Sequence, residues 1–291
     1  MKLRSVAGGM IKGRTIANLS GTLNRSNSQA AQRLRLFDIR RLGERIFESD
    51  SKGHAEIAVI IPLYNYATTI LECLESVASQ DLEYLSVIIV DDASSDDGVE
   101  RTISFLNSHV DRFSHARVVR HKYNQGLAMA RNSGIVWSSE PFLFLLDADN
   151  RIRPPALSRL LQALNISGAA FAYSQLRFFG EKCGIGHADI WEPSRLVEGN
   201  YIDAMAMIRR DALETADGYA VLAVEQGWED YDLWCRFAEL GLDGVFVPEL
   251  LCEYRVHAGS MLRTSTNDHY ATLMAEMALR HPSLFARQRG S

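Results

Sequence analysis

Cysteine is scarce in this chain. Its four residues, Cys73, Cys183, Cys235 and Cys252, stand far apart, with no C-x-x-C pair and no histidines at zinc spacing. That excludes a disulfide framework and a structural zinc of ordinary ligand spacing, and it fits reduced thiols in a cytosolic protein. No run reaches the roughly 18 apolar residues that span a bilayer. The opening MKLRSVAGGMIKGRTIANLS has no apolar core of the kind a secretory leader needs. A cytoplasmic location is expected. No G-x-G-x-x-G follows the first apolar run and no G-x-x-x-x-G-K-[ST] occurs, which argues against an NAD-binding Rossmann domain and against a P-loop.

What is present is the composition of an ordinary globular protein, 47% hydrophobic and 23% charged over 291 residues. That length buries one large core or two modest ones. The net charge of -5 is unevenly spread: residues 1–55 carry 11 Lys/Arg against 4 Asp/Glu, and the remainder is strongly acidic. An acidic main domain is a poor partner for nucleic acid, so none is expected. Residues 1–55 read as a basic N-terminal extension, partly helical or flexible. QAAQRLRLFDIRRLGERIF has roughly helical spacing. Such a segment either touches anionic lipid at the inner face of the membrane or a partner, or it is a solvated arm or a helix packed on the domain.

From residue 56 the pattern changes. IAVIIP and LSVIIV are β-branched runs, continuous enough to be buried on both faces. Between them Ile70, Leu71, Leu74, Val77 and Ala78 recur at helical spacing, which makes the unit βαβ. A helix from about 96 to 108, the strand ARVVRH, a helix over GLAMARNSGIVWSS and the strand FLFLLDAD follow. The expected fold is α/β, with a mostly parallel central sheet and helices on both faces. Ligands bind beyond the carboxyl ends of such strands. There the chain carries PLYNY, DDASSDD, HKYNQG and DADN, so one crevice can collect Tyr64, Asn65, Asp91, Asp92, Asn124, Asp147 and Asp149. Two carboxylates at i and i+2 suit a hard cation, Mg²⁺ or Mn²⁺, which usually also takes phosphate oxygens from a substrate.

AVIIPLYN, VDDASSDD, NQGLAMARNSG, LLDADN and WEDYDLWCRFAELG occur in an order and at separations that resemble the inverting glycosyltransferases of family 2, with the GT-A fold. The resemblance covers roughly residues 56–262. It implies a GT-A domain at 56–265, divided into a nucleotide-binding half (56–150) and an acceptor and catalytic half (151–265), followed by a helical tail at 266–291. Asp92 is expected to accept from the base N–H, Tyr64 to lie against the ring, and the backbone at Pro62 to line the pocket with Asn65, Asp91 and Ala148. Asn124 and Arg131 support the nucleotide, although Arg131 reads equally well as a structural partner to an acid such as Asp91. Asp149 ligates the metal, and Asp147 contacts the ribose or shares the ion.

The same resemblance makes Asp230 the general base, with Glu229 beside it contacting the acceptor or orienting the loop. Read without it, these acids complement the dipole of the helix they open. His257, in EYRVHAGSM, is a third metal ligand or a structural histidine, and Ser260 is a weaker candidate for a phosphate contact. Asn200 and Asp203 approach the sugar, while Trp191 and Trp228 stack on a sugar face or anchor core and loop. No Q-x-x-R-W is present, which disfavours a processive synthase.

The resulting expectation is a metal-dependent enzyme of nucleotide-sugar transfer. The donor is a UDP-sugar and the acceptor a glycan, a lipid-linked intermediate or a protein. A sugar-nucleotide pyrophosphorylase would instead carry a Gly-rich basic signature where PLYNY stands. A receiver domain would be about half this length and lack WED. A catalytically silent sugar-nucleotide-binding protein would release no nucleoside diphosphate.

Overall fold

The residues of β2 (Ile57–Leu63) alternate between two cores: Ile57, Val59, Ile61 and Leu63 join one apolar cluster, Ala58 and Ile60 the other. A strand's side chains point to opposite faces in turn, so a strand covered on both sides must be apolar throughout. β3 (Ser86–Asp91), β4 (His115–His121) and β5 (Phe142–Leu145) run parallel to β2, in the order β4-β3-β2-β5. The computed structural model describes residues 36–51, 53–222, 227–257 and 269–286. Most of the basic N-terminal segment and Ser260 lie outside them.

Helices α2 (Ile70–Ala78) and α3 (Gly98–Ser108) turn Leu74, Val77 and Leu106 into the first cluster, and α4 (Leu127–Trp137) turns Ala130 and Ile135 into the second. Gly134 lets α4 settle onto β2: a Cβ there would lie 2.2 Å from Ile60 Cγ2. Upstream, α1 (Leu36–Ile39) is a single turn, and β1 (Gly43–Asp50) pairs antiparallel with β4. The helical spacing expected through residue 47 thus gives way to an edge strand, and the sheet begins upstream of residue 56. GERIFESD is charged and half exposed, as an outer strand requires.

The second half is joined through β9 (Ala206–Arg209), antiparallel to β5 and to β7 (Phe171–Gly180). β10 (Gly244–Val256) is parallel to β7 and carries the two-residue β6 (Arg151–Ile152) on its outer side, while β8 (Gly184–Ile185) pairs with β7. α5 (Ala156–Ser167), the short α6 (Arg210–Thr215), α7 (Glu229–Glu239), α8 (Tyr270–Arg280) and α9 (Pro282–Phe285) complete the described chain. Among the described residues no helix is long and apolar enough to cross a membrane.

Candidate active site

The loops beyond β2 and β3 are laced together. Asn65, at φ +58°, accepts through Oδ1 from the Ser95 amide (2.8 Å) and donates its own amide to Ser94 Oγ (3.0 Å). Asp96 Oδ2 accepts from the Ala67 amide at 2.9 Å. A non-glycine residue at positive φ costs free energy and persists where its surroundings over-determine it. Ala93 (φ +64°) is a second case in the same loops. Pro62 is buried within β2, whereas Tyr64 is 47% exposed and leaves its ring free for a ligand.

Asp92 is only 3% exposed and both carboxylate oxygens are engaged. Oδ1 accepts from the Gln125 amide (2.8 Å) and lies 2.6 Å from His121 Nδ1, while Oδ2 accepts from the Gly126 amide (2.8 Å). The residue expected to accept from a base N–H thus holds the end of β4 against β3, with Asn124 Nδ2 donating to its carbonyl at 3.3 Å. Gly126 sits at φ +85°, which brings its amide to this carboxylate without a Cβ penalty. His121 Nε2 is 2.8 Å from Ser133 Oγ, an Asp–His–Ser chain. All three residues are buried, so no substrate reaches the serine. Asp91 is fully buried and ion-paired with Arg120, its register partner on β4; burial raises its pKa.

Beyond β5, the DADN turn is pinned from β10. The Arg255 amide donates to Asn150 Oδ1 and Arg255 Nε to the Asp149 carbonyl, both at 2.8 Å. His257, just past the end of β10, lies with Nε2 3.0 Å from Asp149 Oδ2. The Tyr66 ring stands edge-on to His257, 6.4 Å between centroids. Burial, then the charge of Asp147, raises the pKa of Asp149, and His257 works against both. Ala148 is buried between the two acids.

Asp147 turns the other way. Arg131, 1% exposed on α4, donates through Nη2 to Asp147 Oδ1 at 2.8 Å and through Nη1 to Glu229 Oε1. Its acid partners are therefore Asp147 and Glu229, and Asp91 pairs with Arg120 instead. One buried guanidinium ties the end of β5 to the first turn of α7, and its Nε has no hydrogen-bond partner among the described residues. Among the described residues no cluster of three or more His, Cys, Asp or Glu side chains is arranged to hold a metal. Of the expected trio, Asp149 and His257 come together, and Asp147 is paired with Arg131.

On α7, Asp230 Oδ2 accepts from Asn200 Nδ2 at 3.0 Å and Oδ1 from the Tyr231 amide at 2.7 Å. Burial and then the Glu229 charge push its pKa up to about 8, against the pull of Arg131. Asp203 accepts from the Met205 amide at 2.9 Å, and burial followed by Asp147 takes it to about 7. Trp228, at φ +68°, packs edge-on against Tyr231 and Tyr270, and Trp191 edge-on against Phe171. Each tryptophan thus makes an edge contact with a neighbouring ring and remains part-exposed.

Tyr66, His121, Asn150 and Arg255 were not anticipated at this site. Tyr66 and Asn150 stand inside the PLYNY and DADN segments at the strand ends, which was the available signal for them. The partners of His121 are tertiary and leave none.

Comparison with known proteins follows the same lines. The family model for Glycosyl transferase family 2 matches residues 58–216. The UDP-Glc:alpha-D-GlcNAc-diphosphoundecaprenol beta-1,3-glucosyltransferase WfaP of Escherichia coli is 25% identical over 206 residues, 70% of this chain and 79% of WfaP. TarS 1–349 of S. aureus, crystallised with UDP-GlcNAc, superposes with a TM-score of 0.60 at 19% identity, covering 77% of this chain and 66% of that one. The mannosyltransferase PcManGT of Pyrobaculum calidifontis, solved with GDP-Man and Mn²⁺, gives 0.59 at 18% identity over 91% and 79%. At these identities the two structures establish the GT-A fold. The family match covers more than half of the chain and spans the strand ends described above, and the chain belongs to glycosyl transferase family 2.

Proposed function

We propose that this glycosyltransferase moves one sugar, with inversion, from a UDP-sugar to a hydroxyl of a glycan, lipid-linked or protein acceptor, with Asp230 as general base. The observation that carries the reading is Arg131, which gathers the acids of DADN and of WED into one site. UDP-Glc in the name of WfaP and UDP-GlcNAc bound to TarS support the donor, and the diphosphoundecaprenol in the name of WfaP supports a lipid-linked acceptor.

In the displacement, the acceptor oxygen forms a bond to the anomeric carbon as the bond from that carbon to the diphosphate breaks. Asp230 takes the acceptor proton. Asn200 holds one oxygen of Asp230 and the Tyr231 amide the other, so the carboxyl is oriented before substrate arrives. Arg131 keeps Glu229 beside it and offsets the charge of Asp147. Only the carboxylate form accepts a proton. With the pKa near 8, kcat/KM should therefore rise with pH toward about 8 and fall below it.

A divalent cation fits the donor set beside Asp149. A buried carboxylate raised by the charge of Asp147 faces an imidazole nitrogen at 3.0 Å, and both are donors that Mn²⁺ or Mg²⁺ accepts. When bound there it would supply charge to the departing diphosphate. Asp149 and His257 would hold it, with remaining positions for phosphate and water.

The test is a panel of sugar nucleotides with Mn²⁺, with Mg²⁺ and with chelator, scored by thermal shift and by release of nucleoside diphosphate. Stabilisation and metal-dependent release with one or more UDP-sugars is expected. Binding with no release under any condition would support a silent nucleotide-sugar-binding protein instead.

A further inference from the structure

None of the residues assigned above to that chemistry lies on α8 or α9, yet these helices grip the helix that carries Asp230. Asp232 on α7 is fully buried. Its Oδ2 accepts from Arg236 Nε at 2.8 Å, and its Oδ1 accepts from Arg280 Nε at 2.6 Å, at the end of α8. His281, at the junction of α8 and α9, places Nε2 3.1 Å from Asp232 Oδ1 and Nδ1 2.9 Å from Glu239 Oε2. Glu239 also accepts from Ser283 of α9. Asp232 and Glu239 lie about two turns apart on α7, and the ring that joins them is 2% exposed.

A neutral imidazole has one donor and one acceptor nitrogen, so a carboxylate at each nitrogen calls for two N–H groups and a positive ring. Burial opposes that charge, but the two carboxylates outweigh it and raise the pKa of His281 above its ordinary value. At the other end of α7, Trp228 packs on Tyr270 of α8 at 5.3 Å. Leu273, Met277 and Leu284 bury the same helix pair in the second core.

We propose that α8 and α9 clamp the catalytic helix, and that His281 is a positioning residue whose imidazolium ties Asp232 to Glu239 and so fixes the turn bearing Glu229 and Asp230. This rests on the reading of Asp230 as the base. The charged groups facing the ring are Asp232, Arg236 and Glu239 from α7 and Arg280 from α8. Burial raises Asp232, but Arg236, His281 and Arg280 together hold it below the ordinary carboxylate range. Burial likewise raises Glu239, and His281 and Ser283 bring it below its ordinary value. Both acids therefore stay charged on the alkaline side, where the ring proton is the one that leaves. The contribution of His281 is complete below pH about 6.5 and is lost as pH rises through its raised value.

The test compares full-length wild type, His281→Gln and Glu239→Gln for UDP affinity, kcat and donor KM across pH, and thermal midpoint. For His281→Gln the proposal expects UDP affinity within about twofold, kcat lowered about tenfold at unchanged donor KM, and loss of the alkaline fall in kcat that the proposal expects of wild type. Glu239→Gln, which removes one of the two carboxylate charges at the ring, should move that fall to lower pH. A wild-type kcat and pH profile in His281→Gln overturns the clamp, as does a loss of kcat and UDP affinity in parallel with the thermal midpoint. If His281→Gln does not fold, an unmoved alkaline limb in Glu239→Gln overturns it alone. Asp230→Asn keeps the two readings apart: surviving transfer there removes the base, whereas an inactive Asp230→Asn beside an unaffected His281→Gln removes only the clamp.

Discussion

The two sides of the crevice handle their carboxylates in opposite ways. Beyond β3, Asp92 receives two backbone amides and sits against His121, and Asp91, although burial raises its pKa, is ion-paired with Arg120. On the catalytic side, Asp203 receives one backbone amide and Asp230 an amide and a side-chain amide, and burial lifts both toward neutrality. A carboxylate that accepts several hydrogen bonds is a fixed part of the frame. A part-exposed carboxylate with a raised pKa at the crevice is a candidate for a proton or a ligand. The difference teaches that the loops beyond β3 and β4 are tied by their own hydrogen bonds, while Asp203 and Asp230 keep raised pKa values beside them.

Arg131 joins the two sides, so removing it should break the comparison most severely. Arg131→Met leaves Asp147 and Glu229 without their buried counter-charge. We expect loss of transfer and a destabilisation of about 3–5 kcal/mol, read by denaturant unfolding. Next in size, Asp149→Asn should abolish stimulation by Mn²⁺ and lower kcat by at least about a hundredfold, while His257→Ala weakens the metal dependence, both measured by metal titration of nucleoside diphosphate release.

Breaking the frame on the nucleotide side should cost stability before chemistry. His121→Ala leaves Asp92 and Ser133 short of a partner in a closed interior, a loss of about 1–3 kcal/mol, with donor KM rising and the pH dependence of kcat unchanged. The smallest effect is expected from Tyr64→Ala. Its exposed ring gives up about 0.5–1.5 kcal/mol of stacking, which appears as a few-fold to roughly tenfold rise in donor KM at constant kcat.

Much of the nucleotide half was legible in the sequence because its strands are buried on both faces and therefore read as unbroken apolar runs. β1 was not, since a half-exposed edge strand mixes charged and apolar residues, and GERIFESD followed a segment of helical spacing. The DADN and WED acids could be named from their motifs, but their connection could not. Arg131 and Glu229 are 98 positions apart, and nothing local in NQGLAMARN distinguishes a partner at Asp91 from one on α7. Asp92 illustrates the same limit from the other side. Its type and place beyond a strand suited a ligand contact, and backbone amides contributed by the loop before α4 also reach it, because amide direction is a property of the folded loop.

The central claim is that Asp230 acts on the acceptor proton and not on the nucleotide. It is tested most directly by measuring UDP affinity and sugar transfer side by side in Asp230→Asn. The account predicts transfer reduced by about 10²–10⁴-fold with UDP affinity within twofold of wild type. Equal loss of both, or transfer that persists at the wild-type rate, would contradict it.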